Sequence, residues 1–139
     1  MRRYVSAVIV VVTGLVVACM GEGSSTGPAP AVVAVYQLKS INGMPLPYTH
    51  TIGTASMQIT SDVLVLHADG SYADSTTFAM PFGKTVQTST TIERGKYKNS
   101  SGAISFTNET SGGTHYSGTI EGTTLTESVN GLTPVYERR

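Results

Sequence analysis

From Val32 to the C-terminus, apolar and polar side chains alternate with a period of two, and turn-forming residues punctuate the alternation about every eight to twelve positions. This rhythm constrains the fold more than any other feature of the chain. Successive side chains of a strand point to opposite faces, so period-two alternation describes sheets with one apolar face. The expected strands are Val33–Ile41, Ala55–Thr60, Val63–His67, Ser71–Ala79, Val86–Lys98, Ala103–Asn108, His115–Ile120, Thr123–Val129 and Thr133–Glu137. Thr60-Ser61-Asp62 reads as a turn between the second and third of these, and Asp69-Gly70 as a tight type I′ hairpin. Met80-Pro81-Phe82-Gly83 breaks the pattern, and Gly95 suggests a bulge in the long strand around it. No segment carries a 3.6-residue stripe, so helix content should be minimal.

Alternation also assigns faces. Tyr36 with Leu38, Met57 with Ile59, Tyr72 with Phe78, Ile104 with Phe106, Tyr116 with Ile120, and Leu125 with Val129 should point inward. Thr, Ser, Lys and Glu should fill most of the opposite face. Short connections between so many strands imply an antiparallel meander. Closing it into a small up-and-down β-barrel of about eight strands removes the exposed edges of an open sheet. A two-sheet β-sandwich is the alternative.

The first residues have a different character. Arg2 and Arg3 precede an almost uncharged run from Val5 to Val17, about thirteen residues long. That length suits the apolar core of a signal peptide and falls short of the ~20 residues needed to span hydrocarbon. Val16-Val17-Ala18 then leads directly into Cys19, the one cysteine of the chain. These residues resemble a bacterial lipoprotein signal with its lipobox. The resemblance implies that residues 1–18 are removed, that Cys19 is lipidated, and that the membrane is reached through acyl chains on its sulfur and amine. Two or three such chains, at about 0.8 kcal/mol per buried methylene, make a stable anchor. Met20 follows the cysteine where aspartate would signal retention in the inner membrane, which points to the outer membrane of the cell envelope.

Residues 19–31 continue as small, Gly-, Ser- and Pro-rich chain, the composition of a flexible tether. Residues 32–139 would form one domain, large enough to hold by its core alone, as a single cysteine requires. Without Arg2 and Arg3, seven basic residues face nine acidic ones. That balance argues against nucleic acid as a partner.

Several stretches of the domain resemble small lipocalin-like domains of bacterial lipoproteins. They are Tyr36-Gln37-Leu38-Lys39-Ser40-Ile41-Asn42-Gly43 with Leu46-Pro47, His67-Ala68-Asp69-Gly70-Ser71-Tyr72, Gly95-Lys96-Tyr97 before Ser101-Gly102, and Gly122-Thr123-Thr124-Leu125-Thr126. The resemblance implies a calycin-type barrel and brings no catalytic residue with it. The chain lacks the Gly-x-Trp of the larger lipocalins and has no tryptophan at all.

Chemistry-bearing motifs are sparse. His50, His67 and His115 lack the short-spaced pairing of a zinc site, and the latter two are expected at strand rims. No nucleophile elbow or Ser-x-x-Lys motif occurs. Neither a catalytic residue, nor a cofactor, nor a metal is expected. Asp62 and Asp69 read as turn residues, whereas Asp74 shares a face with Tyr72 and Phe78, facing a ligand or lying near the strand's open end. Asn99-Ser100-Ser101 and Asn108-Glu109-Thr110 match a glycosylation pattern and read as turns. Tyr36, Tyr72, Tyr97 and Tyr116 either pack the barrel or line a pocket.

Two functions follow as expectations. One is non-enzymatic binding of a small hydrophobic or amphipathic molecule at the barrel mouth. The other is an envelope interaction module, or protease-inhibitor-like barrel, using the loops Thr49–Thr54 and Met80–Lys84. A cavity of ~300 Å³ lined by Tyr and Phe would favour the first. A filled barrel with an apolar patch around Phe82 would favour the second.

Overall fold

The alternating pattern folds as ten strands in the computed structural model, which describes residues 32–139. The lipobox, Cys19 and the tether lie outside the described residues. The strands are β1 (Val32–Ile41), β2 (Met44–Pro45), β3 (Tyr48–Ile52), β4 (Ala55–His67), β5 (Ser71–Phe82), β6 (Thr85–Ser100), β7 (Ala103–Asn108), β8 (Thr114–Glu121), β9 (Thr124–Ser128) and β10 (Pro134–Arg138). All pairings are antiparallel, and the contact of β1 with both β10 and β4 closes an eight-stranded up-and-down barrel. Strands β2 and β3 lie outside the ring. The barrel expectation holds, and the sandwich alternative does not.

Several local expectations change. Thr60-Ser61-Asp62 is not a turn: β4 runs through it, and the register with β5 shifts between Ile59 and Ser61. This bulge reverses the alternation and turns Asp62 inward. Gly95 is not bulged, since β6 keeps an unbroken register with both neighbours. Glycine is required there because a Cβ would overlap the Thr107 carbonyl oxygen and approach Tyr72 Cε1 to 2.8 Å. Met80-Pro81-Phe82 continues β5 as far as a Gly83-Lys84 turn, and Thr49–Thr54 is mostly strand β3. Neither suspected loop is irregular. At Asp69-Gly70 only the glycine has positive φ, 78°, so the loop is a three-residue turn closed by Asp69 rather than type I′.

The barrel has unlike ends. One is sealed by a core of Tyr36, Leu64, Leu66, Tyr72, Ile104, Phe106 and Leu125, all at most 3% exposed. The chain enters there: Val32 pairs with His67 beside the Asp69-Gly70 turn. The opposite end is the mouth, framed by the β1–β2 turn at Asn42-Gly43, the β7–β8 turn and the β9–β10 turn at Asn130-Gly131. Past the mouth, β3, the first half of β4, the second half of β5 and the first half of β6 project as a hood.

Candidate acidic pocket

Between the sealed core and the mouth, the inward positions change from apolar to acidic. Moving one inward step toward the mouth takes β4 from Leu64 to Asp62, β5 from Tyr72 to Asp74, β6 from Gly95 to Glu93, and β9 from Leu125 to Glu127. Four of the nine acidic residues of the chain therefore meet at one level of the barrel interior. They line a cavity of about 190 Å³ together with Thr76, Tyr116 and Tyr136, and no Lys, Arg or His side chain borders it. Nearer the mouth its wall is apolar, formed by Ile41, Ile59, Phe78, Val129, Leu132 and Pro134.

Each carboxyl has a distinct environment. Glu93 Oε1 accepts hydrogen bonds from Tyr72 Oη at 2.5 Å and Tyr116 Oη at 2.6 Å. Both phenols are held well above their ordinary value, first by burial and then by Glu93, so they remain donors. Tyr116 is positioned by stacking on Phe106, with ring centres 4.9 Å apart, while Tyr72 meets the same ring edge-on at 5.1 Å. The sealed core thus fixes two hydroxyls that face the pocket.

Asp62, 6% exposed, accepts a hydrogen bond from Thr76 Oγ1 at 2.9 Å through Oδ2. Its Oδ1 and that of Asp74 are buried without a conventional donor. Burial pushes the Asp74 carboxyl strongly upward, and its hydrogen bond with Asp62 adds to the effect. Asp74 therefore favours its protonated form.

Glu127 is the exposed end of this chemistry in every sense except solvent. It is 4% accessible, faces the cavity and makes no side-chain hydrogen bond among the described residues. Burial raises its carboxyl from 4.5 to about 8, with Asp62 and Glu93 contributing by repulsion. Its cross-strand partner is Gly118, where a Cβ would overlap the Thr126 carbonyl oxygen and stand 3.3 Å from Glu127 Cγ. Tyr136 on the neighbouring strand is also raised well above its ordinary value by burial and then by Glu127.

The sequence reading placed some of these residues and missed others. The expected inward set points into the barrel except for Met57, which lies where β4 pairs with β3 beyond the ring. Asp74 lines the pocket rather than sitting at an open strand end. Asp62, expected in a turn, is interior because of the β4 bulge. Glu127 and Glu93 were not singled out, although Glu127 sits between Leu125 and Val129 on one strand face, a visible signal. Asp69 does close a turn, its Oδ1 accepting from Ser71 N and Oγ, which holds its carboxyl below the usual range. Asn99 and Asn108 also act in turns, accepting from Gly102 N and Ser111 N.

The three histidines stay apart. His115 is exposed and 3.1 Å from Thr107 Oγ1, whereas His67, expected at a solvent-exposed rim, has a buried Nδ1 without a partner. Among the tyrosines, Tyr36 and Tyr72 belong to the core, while Tyr116 and Tyr136 border the cavity. No family model and no curated protein sequence matches this chain.

Proposed function

We propose that this chain is a lipid-anchored protein of the cell envelope, held through Cys19, whose barrel binds a small amphipathic molecule without altering it chemically. The cavity carries the reading. A polar floor of carboxyls and phenols lies beneath an apolar wall, so a ligand with one polar end and an apolar body is matched at both ends. At about 190 Å³ the space falls short of the ~300 Å³ expected for a drug-sized ligand and is somewhat larger than one that admits benzene, so it is the lining rather than the size that supports binding. Compact ligands are favoured over long-chain lipids. The polar floor also favours amphipathic ligands over purely hydrophobic ones.

Native mass spectrometry of the full chain from its own host tests this directly. The expected result is a retained small molecule; bare protein, with no displacement of an environment-sensitive dye, would overturn the reading. For the anchor, Cys19→Ser should abolish labelling by a fatty-acid probe, and labelling that persists refutes lipidation there. The absence of aspartate after Cys19 supports an outer-membrane location.

An interaction module is the second reading. The hood leaves Phe82 66% and Val86 69% exposed, more apolar surface than a solitary binding barrel needs. Photo-crosslinking from position 82 in intact cells should then capture one discrete envelope protein.

A further inference from the structure

A cavity lined with acids is costly for a small barrel. Burying a carboxyl without a hydrogen-bond partner opposes folding, and a cavity-facing residue could be apolar at no cost to the strand. Glu127 nevertheless occupies an inward position, 4% exposed, with no side-chain hydrogen bond among the described residues. Opposite it, Gly118 lets the backbones of β8 and β9 approach closely, since a Cβ there would overlap the Thr126 carbonyl oxygen. The Glu127 carboxyl opens onto the cavity with no hydrogen-bonding side chain of its own among the described residues.

The groups facing Glu127 define that partner. Tyr116 on β8 and Tyr136 on β10 flank it, while Asp62 on β4, Asp74 on β5 and Glu93 on β6 face it across the barrel. None of these can become cationic, and no basic side chain reaches the cavity. An anionic ligand would be repelled. A neutral polar ligand accepts a hydrogen bond from the protonated carboxyl but gains nothing from an acidic lining that attracts an ammonium. The walls of Ile59, Phe78, Val129 and Leu132 suit a hydrocarbon body better than a hydrated metal ion, which asks for several converging oxygens. Among the described residues no group of three or more His, Cys, Asp or Glu side chains is disposed to hold a metal.

We propose that Glu127 is the counter-ion for a compact organic amine, bound as its ammonium, whose apolar body rests against Ile59, Phe78, Val129 and Leu132. This inference rests on the ligand-binding reading above and specifies its ligand class. The charge balance is simple: the ammonium enters already protonated, the Glu127 carboxylic acid gives up its proton to solvent, and an ion pair remains. Glu93, held by Tyr72 and Tyr116, and the Asp62–Asp74 pair complete an acidic lining around the ammonium. Because burial raises the Glu127 carboxyl to about 8, the amine should bind roughly tenfold more weakly for each pH unit below that value. Above it, affinity should level off.

Calorimetry on the full chain in a non-ionic detergent provides the test, with cyclohexylamine and a panel of other compact primary amines as probes. Cyclohexanol and cyclohexanecarboxylate serve as neutral and anionic counterparts. The expected result at pH 7 is amine binding with release of close to one proton, read from buffers of different ionisation enthalpy. Glu127→Gln should weaken the amine at least tenfold and abolish proton release while leaving the circular dichroism spectrum unchanged. If cyclohexanol binds as tightly as cyclohexylamine, or if no amine binds, the cation assignment is overturned. A molecule retained in native mass spectrometry would still sustain the broader binding reading in either case.

Discussion

The sealed half of the barrel and its acidic half are built from the same strands in the same register, yet they obey opposite rules. In the sealed half each inward side chain removes apolar surface from water, and Phe106, Leu125 and Leu64 are at most 1% exposed. One inward step farther along, Asp62, Asp74, Glu93 and Glu127 are enclosed by the same wall and must be paired, protonated or left wanting. The difference locates stability in one half and selectivity in the other. Proteins that depart from a packed core usually do so where they act.

The largest expected effect breaks the sealed half. Phe106→Ala should cost about 3–5 kcal/mol, because it removes a fully buried ring on which Tyr72 and Tyr116 both pack. Urea denaturation measures the loss. A cost under 1 kcal/mol would mean that the two halves do not divide the labour as described.

The acidic half should respond to pH with an unusual sign. Most carboxylates stabilise a fold as pH rises, but Glu127 binds its proton more tightly folded than unfolded, at about 8 against 4.5. Between those values the folded barrel holds more protons than the unfolded chain, so stability falls with rising pH. The slope from this one group is about 1.4 kcal/mol per pH unit between the two values and vanishes below the lower and above the upper one. Asp74, also raised, acts in the same direction. Denaturation midpoints at pH 5, 6, 7 and 8 should therefore decline steadily, and Glu127→Gln should flatten much of the decline. A midpoint that rises over this interval contradicts the environment assigned to Glu127. The smallest effect belongs to the hood: Phe82→Ser, at an exposed tip, should change stability by less than about 0.5 kcal/mol.

The fold was legible because its signals are local. Period two and glycine-bearing turns, such as Ser101-Gly102 and Asn130-Gly131 with positive φ at both residues, specify a meander without knowledge of distant contacts. The pocket was less legible because residue type misleads at its centre. Asp62 follows Thr60-Ser61, a sequence that favours turns, and only pairing with β5 turns those residues into a bulge. Pro81 likewise reads as a breaker. It is tolerated in the outlying part of the β5–β6 hairpin, where no other strand pairs with that stretch of β5. Glu127 needed no tertiary information, since its neighbours two residues away on either side are Leu125 and Val129. What the sequence withheld was that four strands place their acids at one height.

The point of entry of the chain bears on the anchor proposed above. Val32 lies at the sealed end of the barrel, opposite the mouth. With Cys19 lipidated as proposed, attachment would be made on the sealed side. The barrel would then be moored by its base, its opening turned toward the aqueous compartment. Such a posture suits capture of water-borne solutes rather than extraction of molecules from the bilayer beneath.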